Sequence, residues 1–218
     1  MRDTVLRYHR RRQRGAGGCT RSTTGDSPVE ALLVSTGVVA LAEIGDKTQL
    51  LALVLAARWR RPAPIIAGIL LATLANHFLA GALGAWLAAA IGPSAMRWIL
   101  GLSFIAMAAW MLVPDRLDDG ENAPPPRYGV FLTTFVAFFL LEMGDKTQIA
   151  TVALAATYPS LPMVVAGTTL GMMIANVPAV LLGEVAARKL PMRVVHAVAA
   201  AIFFALGVLV LLGAQAPR

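Results

Sequence analysis

Long, continuously apolar stretches separated by short polar connections make up most of the chain. A helix that spans a bilayer needs about 17–25 mainly apolar residues, and six stretches reach that length. They are residues 31–57, 64–91, 95–113, 129–157, 162–186 and 191–213. Strands of a membrane barrel would instead alternate apolar and polar positions over roughly ten residues. The pattern therefore predicts an all-α membrane protein with six transmembrane helices.

The composition agrees with a membrane location and excludes several other classes of protein. Only 14% of the residues are charged and 57% are hydrophobic, whereas soluble domains carry about 25% charged residues. Seven arginines lie within residues 1–30, which we interpret as a basic, disordered tail. We expect no nucleic-acid partner, because this tail has little aromatic interleaving. Cys19 is the only cysteine, so there is no disulfide framework.

One seven-residue string within the apolar stretches carries three charges and occurs twice. It begins at Glu43 as Glu-Ile-Gly-Asp-Lys-Thr-Gln and returns at Glu142 as Glu-Met-Gly-Asp-Lys-Thr-Gln, 99 positions later. At the same offset, Gly68 aligns with Gly167. A repeat of this kind indicates that the chain contains two copies of one structural unit.

The repeat predicts two three-helix units, residues 31–113 and 129–213, joined by an acidic, proline-rich linker at residues 114–128. Because three is odd, the second unit must enter the membrane from the opposite side, which gives inverted-topology repeats as in many secondary transporters. Basic residues concentrate in the loops on one side, so that side is predicted to be cytoplasmic and both termini to lie outside. These residues are Arg58, Arg60, Arg61, Arg116, Arg127, Arg188, Lys189 and Arg193.

The charges in the two strings are the candidates for function, since ionisable residues inside a membrane span are rare and usually functional. On a continuous helix that turns about 100° per residue, Glu43, Asp46 and Lys47 share one face, with Gln49 beside Asp46. The second string repeats this arrangement with Glu142, Asp145, Lys146 and Gln148. The glycine between the two acids either lets another helix approach closely or permits local unwinding.

The combined charge of the two strings points to a divalent cation or to protons. Four carboxylates and two lysines leave a net charge of −2, which matches one divalent ion or two protons. Carboxylate and amide oxygens suit calcium, magnesium and manganese, and the spans contain no thiolate that would favour zinc or copper(I). Carboxylates crowded in a low dielectric cannot all stay ionised, so protons and a cation would compete for the same oxygens.

Neutral side chains in the strings can complete such a site. Oxygens of Thr48, Gln49, Thr147 and Gln148 are candidate ligands, although a threonine in a helix often bonds back to its own backbone. We expect Lys47 and Lys146 to pair with acids and limit the negative charge. His77 is a candidate proton relay, or alternatively a hydrogen-bonded structural histidine, and it aligns with Asn176 in the repeat.

The doubled Glu-x-Gly-Asp-Lys-Thr string resembles the signature of a cation/proton exchanger family that includes Golgi and thylakoid exchangers and a bacterial manganese exporter. Both copies match the family pattern at every fixed position, and the resemblance covers about residues 31–213. It implies a calcium/manganese–proton antiporter that exports manganese from the cytosol, with Glu43, Asp46, Glu142 and Asp145 as metal ligands. It also implies a bacterial inner membrane location, the transported ion, protons and lipid as partners, and no cofactor.

Three alternatives remain open from the residues alone. Asp46 and Asp145 could form the aspartate dyad of an intramembrane protease, although each string adds a lysine that favours ionised aspartates, whereas a dyad must share a proton. A passive divalent cation channel would use the same oxygens without proton coupling. The strings could also form intrahelical Glu–Lys pairs that hold two helices together without transport. The oligomeric state is left open.

Overall fold

The structure is a computed structural model that describes residues 27–113, 128–182 and 192–213. Most of the predicted tail at 1–30 and of the linker at 114–128 lies outside these residues. The described part forms eight helices and no strand, which confirms the all-α prediction. The helices are α1 Pro28–Glu43, α2 Lys47–Trp59, α3 Pro62–Ala90, α4 Pro93–Trp110, α5 Val130–Glu142, α6 Lys146–Thr157, α7 Leu161–Leu182 and α8 Met192–Leu211.

Three of the described helices are long and apolar enough to cross a membrane unaided, namely α3, α7 and residues 194–211 of α8. The pair of α1 and α2 becomes a fourth candidate if it is counted as one span with a bend of 70°. The six-span count and the inverted topology therefore stay predictions.

The burial pattern of α3 is the reverse of that in a soluble protein. Asn76 and His77 are fully buried. Phe78, Leu79 and Trp86 on the same helix are exposed. Large apolar side chains directed outward around a polar interior are suited to lipid rather than to water. This arrangement agrees with the membrane location that the composition predicts.

The predicted continuous helices over 31–57 and 129–157 are wrong, because each is broken within its charged string. The first helix ends at Glu43 and the next begins at Lys47, with Gly45 at φ 84° between them. The second copy breaks in the same way at Gly144, with φ 83°. A left-handed glycine commonly ends a helix, and the aspartate that follows it is a preferred first cap of the next one. The shared helix face expected for the charges therefore does not exist.

Helices of one half pack mainly on helices of the other half, and the contacts are reciprocal. Helix α1 packs most extensively on α7, and α5 packs on α3. A Cβ atom added at Gly167 would lie 2.5 Å from the Leu32 carbonyl oxygen and 2.9 Å from Ser35 Cβ. One added at Gly68 would meet the residues 99 positions beyond those two, Phe131 and Thr134. Such an exchange of equivalent contacts is typical of a two-fold relation between similar units.

Small residues at these crossings allow the close approach of helices that membrane interfaces use. We expect Gly167→Ala and Gly68→Ala to destabilise the protein by about 1–3 kcal/mol, the usual cost of overpacking. Thermal unfolding of the detergent-solubilised protein measures this loss. Gly37→Ala is the matched control, because nothing lies within 4 Å of a Cβ at that helical glycine. Equal melting temperatures for Gly167→Ala and Gly37→Ala would contradict the assignment.

Candidate functional site

The two helix breaks have almost the same hydrogen-bond geometry. In each, the aspartate amide donates to the carbonyl oxygen of the preceding glutamate, at 3.0 Å for Asp46 and 3.1 Å for Asp145. The glutamine that follows folds back across the break, so the Gly45 amide donates to Gln49 Oε1 at 2.8 Å. The Gly144 amide donates to Gln148 Oε1 at 2.7 Å. Each string thus encodes a compact turn that ends one helix and starts another.

The left-handed glycine is the part of this turn that a side chain disturbs. We expect Gly45→Ala and Gly144→Ala to lose about 1–2 kcal/mol, because a Cβ is disfavoured in the left-handed region. Nothing lies within 4 Å of a Cβ at Gly144, so the loss there comes from backbone conformation and not from a clash. Gly144→Asn is the control, since asparagine tolerates this conformation better. Equal thermal stability of the alanine and asparagine variants would contradict this account.

The fold brings the four acids of the two strings into one buried region. Glu43 and Glu142 are fully buried, and Asp46 and Asp145 are nearly so. The two strings meet directly, since the lysine of each lies beside the aspartate of the other. The predicted convergence of the two strings therefore occurs, although through two helix breaks instead of two helix faces.

Lysines join the two strings through reciprocal ion pairs. Lys146 Nζ lies 2.7 Å from Asp46 Oδ1, and both side chains are buried. Lys47 Nζ lies 3.7 Å from Asp145 Oδ1, and the Lys47 side chain is 25% exposed. Both pairs connect different strings and use aspartate, so the alternative of intrahelical Glu–Lys pairs is wrong. The expectation that the lysines pair with acids is met.

The two ion pairs differ in burial, which gives a test of their roles. We expect Asp46→Asn to destabilise the protein by about 3–5 kcal/mol, the usual cost of removing one partner from a buried ion pair. Asp145→Asn should cost less, because its pair is longer and its lysine is partly exposed. Thermal unfolding of both variants compares the two costs. A larger loss for Asp145→Asn would contradict this ranking.

Each glutamate has one carboxylate oxygen in a hydrogen bond and one without a partner among the described residues. Asn176 Nδ2 donates to Glu43 Oε1 at 3.2 Å, and Thr147 Oγ1 donates to Glu142 Oε2 at 2.8 Å. Glu43 Oε2 and Glu142 Oε1 are buried and accept no hydrogen bond within those ranges. A buried polar atom without a partner is costly, so these two oxygens are places where a proton or a cation would bind favourably.

The threonine and glutamine candidates make different hydrogen bonds at the two breaks. Thr147 hydrogen-bonds to Glu142 and not to its own helix, whereas the Thr48 hydroxyl is buried without a hydrogen bond in the described part of the chain. Gln49 and Gln148 use their amide oxygens to close the turns, and each oxygen keeps a second lone pair.

Residues of α3 and α7 approach the breaks from the opposite half. Gln49 Nε2 donates to the Ala175 carbonyl oxygen at 2.9 Å, and Gln148 Nε2 reaches Asn76 Oδ1 at 3.5 Å. Position 175 is the repeat equivalent of position 76, so these contacts are also reciprocal. His77 is fully buried, and neither ring nitrogen has a hydrogen-bond partner among the described residues.

The acidic side chains do not form a ready-made metal cluster. Within residues 27–113, 128–182 and 192–213, no group of three or more His, Cys, Asp or Glu side chains is placed to hold a metal ion. The two aspartates instead share their oxygens with lysines. Any cation at the breaks must therefore compete with these lysines or use other donors in addition to the acids.

Apolar helices that surround paired charges at two helix breaks define an ion-transporting class of membrane protein. The profile described as "Divalent cation/proton antiporter GDT1" matches the chain twice, over residues 31–119 and 130–218. Its second match is displaced by the same 99 residues as the two strings. The chain belongs to the GDT1 family of divalent cation/proton antiporters.

Several relatives support this membership. A Vibrio cholerae protein named "Putative manganese exporter" is 53% identical over 176 residues, which cover 80% of this chain and 87% of that protein. GDT1-like protein 3 of Oryza sativa subsp. indica is 27% identical over 219 residues, covering 89% of this chain and 78% of the relative. GDT1-like protein 3 of Arabidopsis thaliana is 27% identical over 212 residues, covering 85% and 71%. No solved structure matches the chain.

Membership in this family makes the chain an integral membrane transporter and not an enzyme. Its transported substrates are a divalent cation and protons. The alternative of an intramembrane aspartyl protease is thereby wrong. The lysine bound to each aspartate also disfavours the shared proton that such a dyad needs.

Proposed function

We propose that the protein exports manganese from the cytosol in exchange for protons, across a bacterial inner membrane. The observation that carries this proposal is the pair of buried glutamates, each with one carboxylate oxygen that lacks a partner among the described residues. Family membership supports the exchange chemistry. The name of the Vibrio cholerae relative, "Putative manganese exporter", supports manganese as the ion and export as the direction.

Competition for the glutamate oxygens couples the two fluxes. Glu43 Oε2 and Glu142 Oε1 are buried without a donor in the described part of the chain, so each is stabilised by a proton or by a cation. The same lone pairs cannot serve both ligands at once, and arrival of the cation therefore releases protons. Exchange follows because a glutamate carboxylate that binds neither a proton nor a cation is unfavourable in the low dielectric of the membrane interior.

We assign Glu43, Asp46, Glu142 and Asp145 as cation ligands, with Lys47 and Lys146 balancing their charge. Each lysine is paired with an aspartate of the other string. A divalent cation is the stronger competitor for those oxygens once it reaches the breaks. Neutral oxygens of Thr48, Gln49, Thr147 and Gln148 complete the coordination. His77, buried on α3 next to Asn76, relays protons to this region.

Unequal exposure of the two breaks supports an alternating route for the ions. At the second break Met143 is 56% exposed and Gly144 is exposed, whereas the equivalent Ile44 and Gly45 at the first break are only partly exposed. Charged residues within a membrane face the bundle interior or a water-filled cavity, and the partial exposure of Lys47 favours the cavity. Two inverted three-helix repeats, with six spans and both termini outside, would exchange this asymmetry between the two sides.

Transport by the purified protein in liposomes with an imposed pH gradient tests the proposal. We expect manganese uptake that depends on the gradient. Glu43→Gln and Glu142→Gln should each reduce it by at least roughly 10-fold, the lower end of what disturbing a metal ligand shell costs. Glutamine keeps the shape of the side chain and removes its charge, so the loss reports on ion and proton binding.

Glu30→Gln is the matched control, because Glu30 lies in the first turn of α1, the helix that ends at Glu43. Its flux should equal that of the unaltered protein. Flux that ignores the pH gradient would indicate a passive channel and contradict antiport. Undiminished flux in both glutamine variants would contradict the assignment of the glutamates.

A further inference from the structure

Two neutral side chains of α7 that can bind a metal ion, Asn176 and Met172, lie near Glu43. Neither belongs to the charged strings. Asn176 and Met172 are both fully buried. Asn176 Nδ2 lies 3.2 Å from Glu43 Oε1 and 3.0 Å from Met172 Sδ. A carboxylate, an amide and a thioether therefore meet in one cluster at the end of α1.

This cluster contains more hydrogen-bond acceptors than hydrogen-bond donors. Asn176 Nδ2 also approaches the Met172 carbonyl oxygen at 3.1 Å, so its two hydrogens face three acceptors. The thioether is the weakest of these acceptors, and its sulfur keeps a second lone pair even when it accepts this hydrogen bond. Glu43 Oε2 and Asn176 Oδ1 are buried and have no hydrogen-bond partner among the described residues. Two oxygens and a sulfur thus keep lone pairs for another ligand.

We propose that Glu43, Asn176 and Met172 form a mixed oxygen–sulfur site for a divalent transition-metal ion, and that the Met172 thioether favours Mn²⁺ over Ca²⁺. This inference rests on the proposed function in taking Glu43 as a cation ligand. Calcium binds oxygen ligands almost exclusively. A thioether is a soft ligand, and Mn²⁺, although it is the hardest of the divalent transition-metal ions, accepts one sulfur ligand more readily than Ca²⁺ does. A sulfur ligand therefore increases the difference in affinity between Mn²⁺ and Ca²⁺, which a site with only oxygen ligands would bind more similarly.

The opposite half lacks the thioether, so the preference that sulfur gives resides in one half. The repeat equivalents of Met172 and Asn176 are Thr73 and His77. Thr73 offers only a hydroxyl oxygen, and its Oγ1 is buried without a hydrogen-bond partner in the described part of the chain. Met172→Thr therefore gives α7 the side chain that the other half already accommodates at the equivalent position.

X-ray absorption at the manganese edge and calorimetric titration with MnCl₂ and CaCl₂ test the proposal on the purified full chain. We expect sulfur scattering from the bound ion, and its loss in Met172→Leu and Met172→Thr. The affinity for Mn²⁺ should fall by roughly 10-fold in these variants, with the affinity for Ca²⁺ unchanged. Asn176→Leu should weaken both ions, because it removes an oxygen ligand, whereas Asn176→Asp keeps one.

Met96→Leu is the matched control, because Met96 is buried in an apolar cluster on α4. It should bind both ions like the unaltered protein, and thermal unfolding shows that all variants fold. Bound manganese without sulfur scattering, or equal losses for both ions in Met172→Leu, would overturn the proposal. If the protein binds Mn²⁺ selectively but does not couple transport to protons, only the proposed antiport is contradicted. If it is an antiporter but Met172→Leu leaves the ion preference unchanged, only this inference is contradicted.

Discussion

The reciprocal ion pairs between the strings are the interaction on which the rest of the arrangement depends. Four carboxyl groups in a membrane interior would repel one another and lose their hydration. Lys146 on Asp46 and Lys47 on Asp145 offset part of this cost and at the same time tie each half to the other. A lysine paired within its own string could not do both, so the charge balance of the site is also a contact between the repeats.

Helix breaks are what make these pairs geometrically possible. In a continuous helix the charged side chains of each string would lie on one face. The break instead turns the chain, and a new helix begins at the lysine. The turn is self-contained, since a glutamine from the new helix satisfies the glycine amide at the break. Backbone that leaves the helical form inside a membrane needs such internal partners. The Glu-x-Gly-Asp-Lys-Thr-Gln string therefore specifies backbone shape as much as it supplies charge.

Much of this could be predicted from the sequence, and the reasons for the failures are physical. Apolar length and the repeated string predict helices and two related units. Hydrophobicity cannot distinguish a continuous span from a broken one, because both must be apolar. A glycine followed by aspartate, which joins a helix end signal to a helix start signal, was the available indication of the break. The contact of Asn176 with Glu43 depends on the packing of α1 on α7, which no local pattern encodes.

The two halves share their backbone turns but not the side chains that surround them. Glu43 faces an amide donor and a thioether from α7, whereas Glu142 is bound by a hydroxyl of its own string. At the position equivalent to Asn176 the other half has His77, a side chain that can carry a proton where asparagine cannot. In the proposed exchange the same oxygens bind metal and protons in turn, and unequal surroundings would give the two glutamates different preferences for these ligands. The repeat thus supplies a symmetric frame, and the differences on α3 and α7 make the surroundings of the two glutamates unequal.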